Sequence, residues 1–408
     1  MASAWQMFIV SSFAYLNLFM LENLSYKFDS LGMIISLGMF ILLFSLPDNS
    51  IGKRNVFIFS SVAVFLSLSI YQVSVGAYIS LALIESMYFL YRNFAWRDIM
   101  TRIYLRVLGI LTGGLAYKYA IVNRYIAQEG YAAEHSSFLN PFSNDGVFIL
   151  ASNLGAFRNM LRDYGLTLGA LGVIILLALC IGLAGFARYI WMNRKDAFSV
   201  KILAVLFLMF SPIFLLMASI SFLVMLRSPV IEPRVMLSVS IFTLFIGLVL
   251  HNFSKSFGWL GEKTFLVLGI FTLVSMLSFS SYYGNLLTRQ EKMNFLVANL
   301  LIHDINEIEQ AAGQKTENLA FVGHSPECWE LLLANRKRPL YNRLIPIYMN
   351  NDWCWGGVYL LHFKRSPIKL EPEADDRDYV KNSEPVTANE YYEIYRRRDK
   401  LIVKFMGV

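Results

Sequence analysis

The chain has 408 residues, of which 56% are hydrophobic and 15% aromatic but only 16% charged, whereas soluble domains carry about 45–50% apolar and about 25% charged residues. That balance excludes a single water-soluble globule, which has no means of hiding so much apolar surface. The net charge of +7 is the sum of scattered loop cations and a basic tail, not a continuous stripe, so nucleic acid is not expected as a partner.

A bilayer core about 30 Å thick needs roughly 20 apolar residues of helix. On that rule about nine segments qualify in chain order: Trp5–Leu21, Ser30–Leu46, Val56–Ile70, Val75–Tyr91, Ile103–Val122, Leu166–Trp191, Ile202–Leu226, Met236–Phe253 and Thr264–Tyr283. The third and fourth are short and separated only by Tyr71–Ser74, which reads as a tight helical hairpin. Only Met1–Ala4 precede the first span, without a Lys or Arg. That start lacks a basic signal-peptide region and a cytoplasmic anchor, and the expectation is that earlier helices are missing.

Cytoplasmic loops retain Lys and Arg. One set of alternate loops holds eleven, among them Lys53, Arg92, Arg102, Lys195 and Lys263, and the other set six, among them Lys27, Arg124 and Arg234. The first set is therefore expected inside, with the N-terminus cytoplasmic and the segment after Tyr283 outside. In the longest outer loop, Val147, Leu150, Leu154, Phe157 and Leu161 recur at helical spacing among Asn153, Arg158 and Arg162. This predicts an amphipathic helix around 146–163, lying on the outer membrane surface or packed on the C-terminal domain.

Residues 1–283 thus form a predicted transmembrane helical domain and 284–408 a small α/β domain. In the latter, Met293, Leu296, Val297, Leu300 and Leu301 share one helical face, Leu319–Gly323 and Gly357–Phe363 read as strands, and Glu327–Asn335 reads as a helix between them. The last thirty residues are charged and expected to be partly mobile, with Arg396–Arg398 as a solvated face. Cys180 lies within a span and reads as packing. Cys328 and Cys354 fall in the outer domain, where a bridge is permitted and would close a loop of roughly 25 residues.

No P-loop, GxGxxG, CxxC, HExxH or serine elbow is present. With five His and three scattered Cys, a protein-built zinc site is not expected; no cofactor is called, and a divalent metal is left open. His324 in Val322–Pro326 reads as a loop histidine at a strand end. Polar chemistry gathers instead at the outer ends of spans: Glu22 and Asp29 around the first loop, Tyr71 and Gln72 at the second, Lys118 near the end of the fifth span, and Glu232-Pro-Arg234 before the eighth. Two carboxylates, a phenol, an amide and several cations on one boundary suit holding a phosphate and activating a hydroxyl. Asp29 also stands where an N-cap would, Arg234 and Lys118 where cations snorkel, and Tyr71 where aromatic belts form. Glu85, inside the fourth span, must neutralise itself, pair across the bundle or line a cavity.

The run Glu22-Asn-Leu-Ser-Tyr-Lys-Phe-Asp29, the hairpin Ile70-Tyr-Gln72, the loop Glu232-Pro-Arg234 and the stretch Gln290–Asn306 together resemble the bacterial serotype-converting glucosyltransferases, the glucosyltransferase II membrane family that modifies O-antigen. The resemblance covers most of the chain but lacks two helices and an acidic outer loop expected ahead of Trp5, so the chain as written is expected to be truncated, which leaves open whether the principal base lies in the missing loop. What it implies is an enzyme of the bacterial inner membrane. Such an enzyme would transfer glucose from a polyprenyl-phosphate donor, by inversion, to a sugar of lipopolysaccharide O-antigen on the periplasmic side. Asp29 would then be the base or donor-orienting carboxylate, with Glu22 second. Arg234 and Lys27 would bind phosphate, Tyr71 and Gln72 the sugar, and Lys118 and Glu232 would lie beside them. The rival classes are a flippase or transporter, for which Gly113-Gly114 and Pro212 are the helix breaks on offer but form no repeat, an O-antigen polymerase or ligase, and a non-catalytic assembly factor.

Overall fold

The computed structural model describes every residue except 1–3, 16, 26–28, 47–51, 126–134, 136, 195, 257, 352–354, 364–367 and 407–408. The chain divides into two compact units, Met1–Ser280 and Ser281–Val408. The first is helical: α1 Ala4–Tyr15, α2 Leu18–Ser25, α3 Ser30–Ser45, α4 Lys53–Ile70, α5 Val75–Tyr91, α6 Trp96–Tyr117, α7 Asn144–Leu168, α8 Ala170–Asn193, α9 Phe198–Val224, α10 Val239–Ser256, and the start of α11, Gly258–Ala312. Among the described residues, seven helices are long and apolar enough to cross a membrane by length and composition, and the apolar helices 4–14 and 30–45 are shorter. This is the architecture of a membrane protein.

The first expected span is not one helix. Asn17, 2% exposed, separates α1 from α2: its side-chain oxygen accepts from Phe19 N at 3.0 Å, and its amide donates to Ala14 O at 2.8 Å and Ser240 Oγ at 3.1 Å. A buried amide that supplies bonds the backbone would otherwise make to itself can end one helix and open the next. Gly113-Gly114 and Pro212, by contrast, lie inside continuous helices. A Cβ on Gly113 would stand 2.5 Å from Ser61 O on α4, so this glycine lets α6 and α4 approach closely. The residues after Tyr117 wind into a π-helical turn, Lys118–Val122.

The bundle is organised around α10, the most thoroughly buried of the seven. Ile9, Val10 and Phe13 of α1 pack with Phe245, Ile246 and Val249 of α10 and with Leu179 and Leu183 of α8. A second cluster joins Met33, Leu37 and Phe40 of α3, Val64 of α4 and Tyr78 of α5. Glu85 pairs across the bundle: its carboxylate accepts from Arg106 at 2.7 and 3.0 Å and from Arg102 at 3.2 Å. Arg106 also donates to Ser60 Oγ and lies 4.1 Å over the Phe44 ring.

Helix α7 spans the predicted amphipathic segment, with the Ser143 hydroxyl accepting from Gly146 N as its N-cap. Its inner stripe is Gly146, Asn153, Phe157 and Met160. Val147, expected on that stripe, is exposed. Asn153, read as polar-face, is buried and donates to Val224 O and Leu226 O, carbonyls at the end of α9 that have no helical partner. Cys180, expected to pack, is exposed on α8.

The second unit holds the rest of α11, the helices α12 Trp329–Lys337, α13 Leu340–Leu344, α14 Trp355–Leu360 and α15 Asp376–Asn382, and a five-stranded sheet. The strands are β1 Asn318–Val322, β2 Lys369–Leu370, β3 Thr387–Ala388, β4 Tyr392–Arg397 and β5 Lys400–Phe405, in the order β2-β1-β5-β4-β3. Strand β1 is parallel to both neighbours, and β3-β4-β5 are antiparallel. Strand alternation sends Leu319 and Phe321 to the face covered by Val297, Leu301 and Ile305, and Ala320 to the face covered by Val380. Leu296, expected on the buried stripe of α11, is exposed.

Gly357–Phe363 is not a strand but the helix α14 and a turn: both places beside β1 are taken, by β2 and β5. The Gly356 backbone sits so close to the Phe321 ring that a Cβ would lie 2.6 Å from it. The charged tail contributes to α15 and forms β4 and β5, and its charges find one another. Lys400, 4% exposed, donates to Asp376 and Glu373, and Arg397 pairs with Asp375. Cys328 is buried, and Cys354 lies outside the described residues.

Candidate active site

Distant parts of the sequence meet at one end of the helical unit. Glu22 on α2 is buried and accepts from Arg234 twice, from its backbone N–H at 2.9 Å and from its guanidinium. The next residue, Asn23, donates to Arg234 O at 3.1 Å. Arg234 lies in the 3-10 helix Pro233–Ser238, where Pro233 starts the turn without needing a donor partner. Helix α2 therefore holds Arg234 by main chain and side chain together, leaving the guanidinium side chain 28% exposed. Burial pushes the Glu22 carboxyl above its ordinary value, more than the Arg234 charge draws it down.

The α4–α5 turn, a 3-10 helix at Gln72–Ser74, is pinned beside this pair. Ser36 Oγ on α3 stands 2.5 Å from both Ser67 Oγ and Ser74 Oγ, and Ser238 Oγ donates to Val73 O at 3.2 Å. Gln72 donates to the Tyr117 hydroxyl, immediately before Lys118, which is exposed on the π turn. The Tyr71 hydroxyl is buried and makes no hydrogen bond to a described residue. Burial raises its pKa, with the charges of Arg234, Asp29 and Glu22 all acting on it.

Asp29 occupies the N-cap position of α3, yet its side chain makes no capping bond and is exposed. The capping role expected from sequence is not made. The structure thus brings together Glu22, Asp29, Tyr71 and Arg234, with Gln72 and Lys118 reached through Tyr117, and Glu232 half-buried beside Pro233. Lys27 lies outside the described residues.

An apolar cavity of about 370 Å³ reaches α2 at Phe19. Asn17, Phe19, Tyr164, Val239, Thr243 and Ile246 are among the residues that line it. Phe19 and Glu22 are three residues apart on α2 and therefore share a face, and Phe19 stacks on Tyr164 with centroids 4.6 Å apart. One end of the helical unit thus offers an ion pair, an exposed carboxylate and a buried phenol without a hydrogen bond to a described residue, and the cavity lies one helical turn away along α2.

The groupings of metal-ligand residue types among the described residues both lie in the other unit: His303, Asp304 and Glu307, and Glu373, Asp375 and Asp376. The second is already occupied by Lys400 and Arg397. Sequence reasoning missed Asn17, Asn23 and Tyr117 at the site. An asparagine in the middle of an apolar run was the available signal for the first.

Residues 1–251 match the profile of a family described as glucosyl transferase GtrII. An uncharacterised 55.3 kDa protein from the gtrB 5′ region of Salmonella phage P22 is 24% identical over 394 residues, covering 95% of this chain and 77% of that protein. No solved structure matches the chain.

Proposed function

The chain belongs to the GtrII glucosyl transferase family, and from that premise we propose that its Glu22–Arg234 end transfers glucose from a polyprenyl-phosphate donor to a sugar hydroxyl of lipopolysaccharide O-antigen. Membership makes the protein a glycosyltransferase with a sugar donor and an acceptor, and implies a glucosyl-transfer role in O-antigen modification. The polyprenyl carrier, the periplasmic side, the inner membrane and the residue roles are our reading.

In this reading Asp29 takes the proton of the acceptor hydroxyl as its oxygen forms a bond to the anomeric carbon. The bond from that carbon to the carrier phosphate breaks, with inversion. The leaving phosphate gains negative charge, and Arg234 stabilises it. Glu22 becomes a positioning residue instead of a second base, since its oxygens are engaged by Arg234. The Tyr71 hydroxyl donates to the donor sugar or phosphate, Lys27 and Lys118 contribute positive charge near the phosphate, and Gln72 and Glu232 shape the turn edges. The carrier's apolar chain lies in the cavity beside Phe19 and Tyr164.

The observation that carries the reading is the exposed Asp29 and the buried Tyr71 hydroxyl, without a hydrogen bond to a described residue, grouped with Arg234, while an apolar cavity reaches Phe19, one helical turn before Glu22. The test is transfer from radiolabelled polyprenyl-phosphoglucose in membranes. Asp29→Asn is expected to lower turnover by about 10²–10⁴, the share of a general base, at normal membrane levels. Wild-type turnover in that variant would remove Asp29 from the chemistry.

A further inference from the structure

A second cavity, of about 550 Å³, lies at the other end of the same helices. Helices α3, α5 and α10 all begin near Asp29, Tyr71 or Arg234, and their final turns line it, through Ser45, Tyr91 and Asn252. Its floor is apolar, with Leu81, Ile84 and Leu248, and Tyr88 and Phe94 at its edge are 47% and 37% exposed.

The charges here are arranged unequally. Glu85 faces the cavity, but its oxygens are committed to Arg102 and Arg106, so that group of three carries a net positive charge. Arg92, at the C-cap of α5, is exposed and lies 6.0 Å from the Tyr88 ring. Neither the Arg92 guanidinium nor the Asn252 side-chain amide makes a hydrogen bond or ion pair with a described residue. A cation is favoured at any helix C-terminus, which accounts for Arg92 but not for an uncommitted amide beside it over an apolar floor.

We propose that this cavity binds the phosphate headgroup of an anionic membrane lipid, held by Arg92 and Asn252, with the first acyl carbons against Leu81, Ile84 and Leu248. Guanidinium and amide donors suit a phosphodiester, and basic pockets between membrane helices are the usual place for such headgroups. The same donors would take a soluble phosphate. The apolar floor is what selects an amphiphile.

The test uses the full chain, purified in detergent and stripped of lipid, with phosphatidylglycerol, phosphatidylcholine or inorganic phosphate added, and reads retained lipid by native mass spectrometry alongside the melting temperature. Phosphatidylglycerol is expected to bind in preference to phosphatidylcholine. Arg92→Gln is expected to weaken that binding about fivefold, the share of one arginine at a headgroup. Arg92→Lys should restore part of it, and Arg97→Gln, outside the cavity, should change nothing. An undiminished preference in Arg92→Gln overturns the proposal. So does a melting shift from inorganic phosphate equal to that from phosphatidylglycerol, which would assign the site to a soluble anion.

Discussion

Removing the Glu85 carboxylate tests how the helical unit tolerates charge in its interior. In Glu85→Ala the Arg106 guanidinium, whose side chain is 4% exposed, keeps Ser60 Oγ, the Phe44 ring and the Tyr78 hydroxyl as neighbours and has no carboxylate partner among the described residues. Leaving one member of a buried pair uncompensated costs about 3–5 kcal/mol. Arg102→Ala removes a more exposed partner, 15% exposed, and its charged hydrogen bonding to Glu85, while Arg106 still holds the carboxylate, so it costs less, about 1.5–3 kcal/mol. The double variant Glu85→Leu/Arg106→Leu deletes both buried charges and is expected to recover much of the loss, because a well-packed apolar pair can match a buried ion pair. Thermal unfolding in detergent, followed by tryptophan fluorescence, provides the scale: at about 2 °C or more per kcal/mol for a unit of this size, Glu85→Ala should melt about 6 °C or more below wild type. A shift under about 2 °C, or a double variant less stable than Glu85→Ala, would refute the argument that Glu85 compensates a buried arginine.

Gly113→Leu would place side-chain atoms against Ser61 O and Val64, which even a Cβ approaches to 2.5 and 2.9 Å. A cost of about 1–3 kcal/mol or more is expected, read as lower melting temperature and reduced membrane accumulation, while leucine at Gly114, which faces open space, should be tolerated. In the second unit, Lys404 holds the Glu393 carboxyl below its ordinary value, and Arg397 does the same for Asp375. Depressed carboxyl pKa values contribute stability above the unfolded values of about 4 and lose it as pH falls through the folded ones. Amide exchange in the β4–β5 hairpin should therefore accelerate below about pH 4 and stay flat between neutral pH and that point, and an exchange rate independent of pH after correction for intrinsic chemistry would exclude the linkage.

The helices were legible because run length and apolarity are local properties. Val75–Tyr91 has the same ends in both readings, and Ser30 opens α3 as expected. The same locality explains the errors. Asn17 reads as one polar residue in an apolar run until Ser240, far away in sequence, accepts its amide. Arg106 was overlooked inside a span although an arginine there calls for a partner, and that partner is 21 residues away. The last thirty residues were expected to be partly mobile because their charges were counted singly, whereas Lys400 is buried by the acids it meets.

At the candidate site the ends of the spans placed Glu22, Asp29, Tyr71 and Arg234 on one boundary, and the structure groups these four residues. The sequence had no means of distinguishing their roles. Glu22 and Arg234 are 212 residues apart, and only their pairing leaves Asp29 as the exposed carboxylate and Tyr71 as the uncommitted phenol. Composition and hydrophobic run length, summed along the chain, determined by themselves that this is a helical membrane protein. Which polar groups neutralise one another and which stay available depends on contacts between distant helices, and only the tertiary structure decided that.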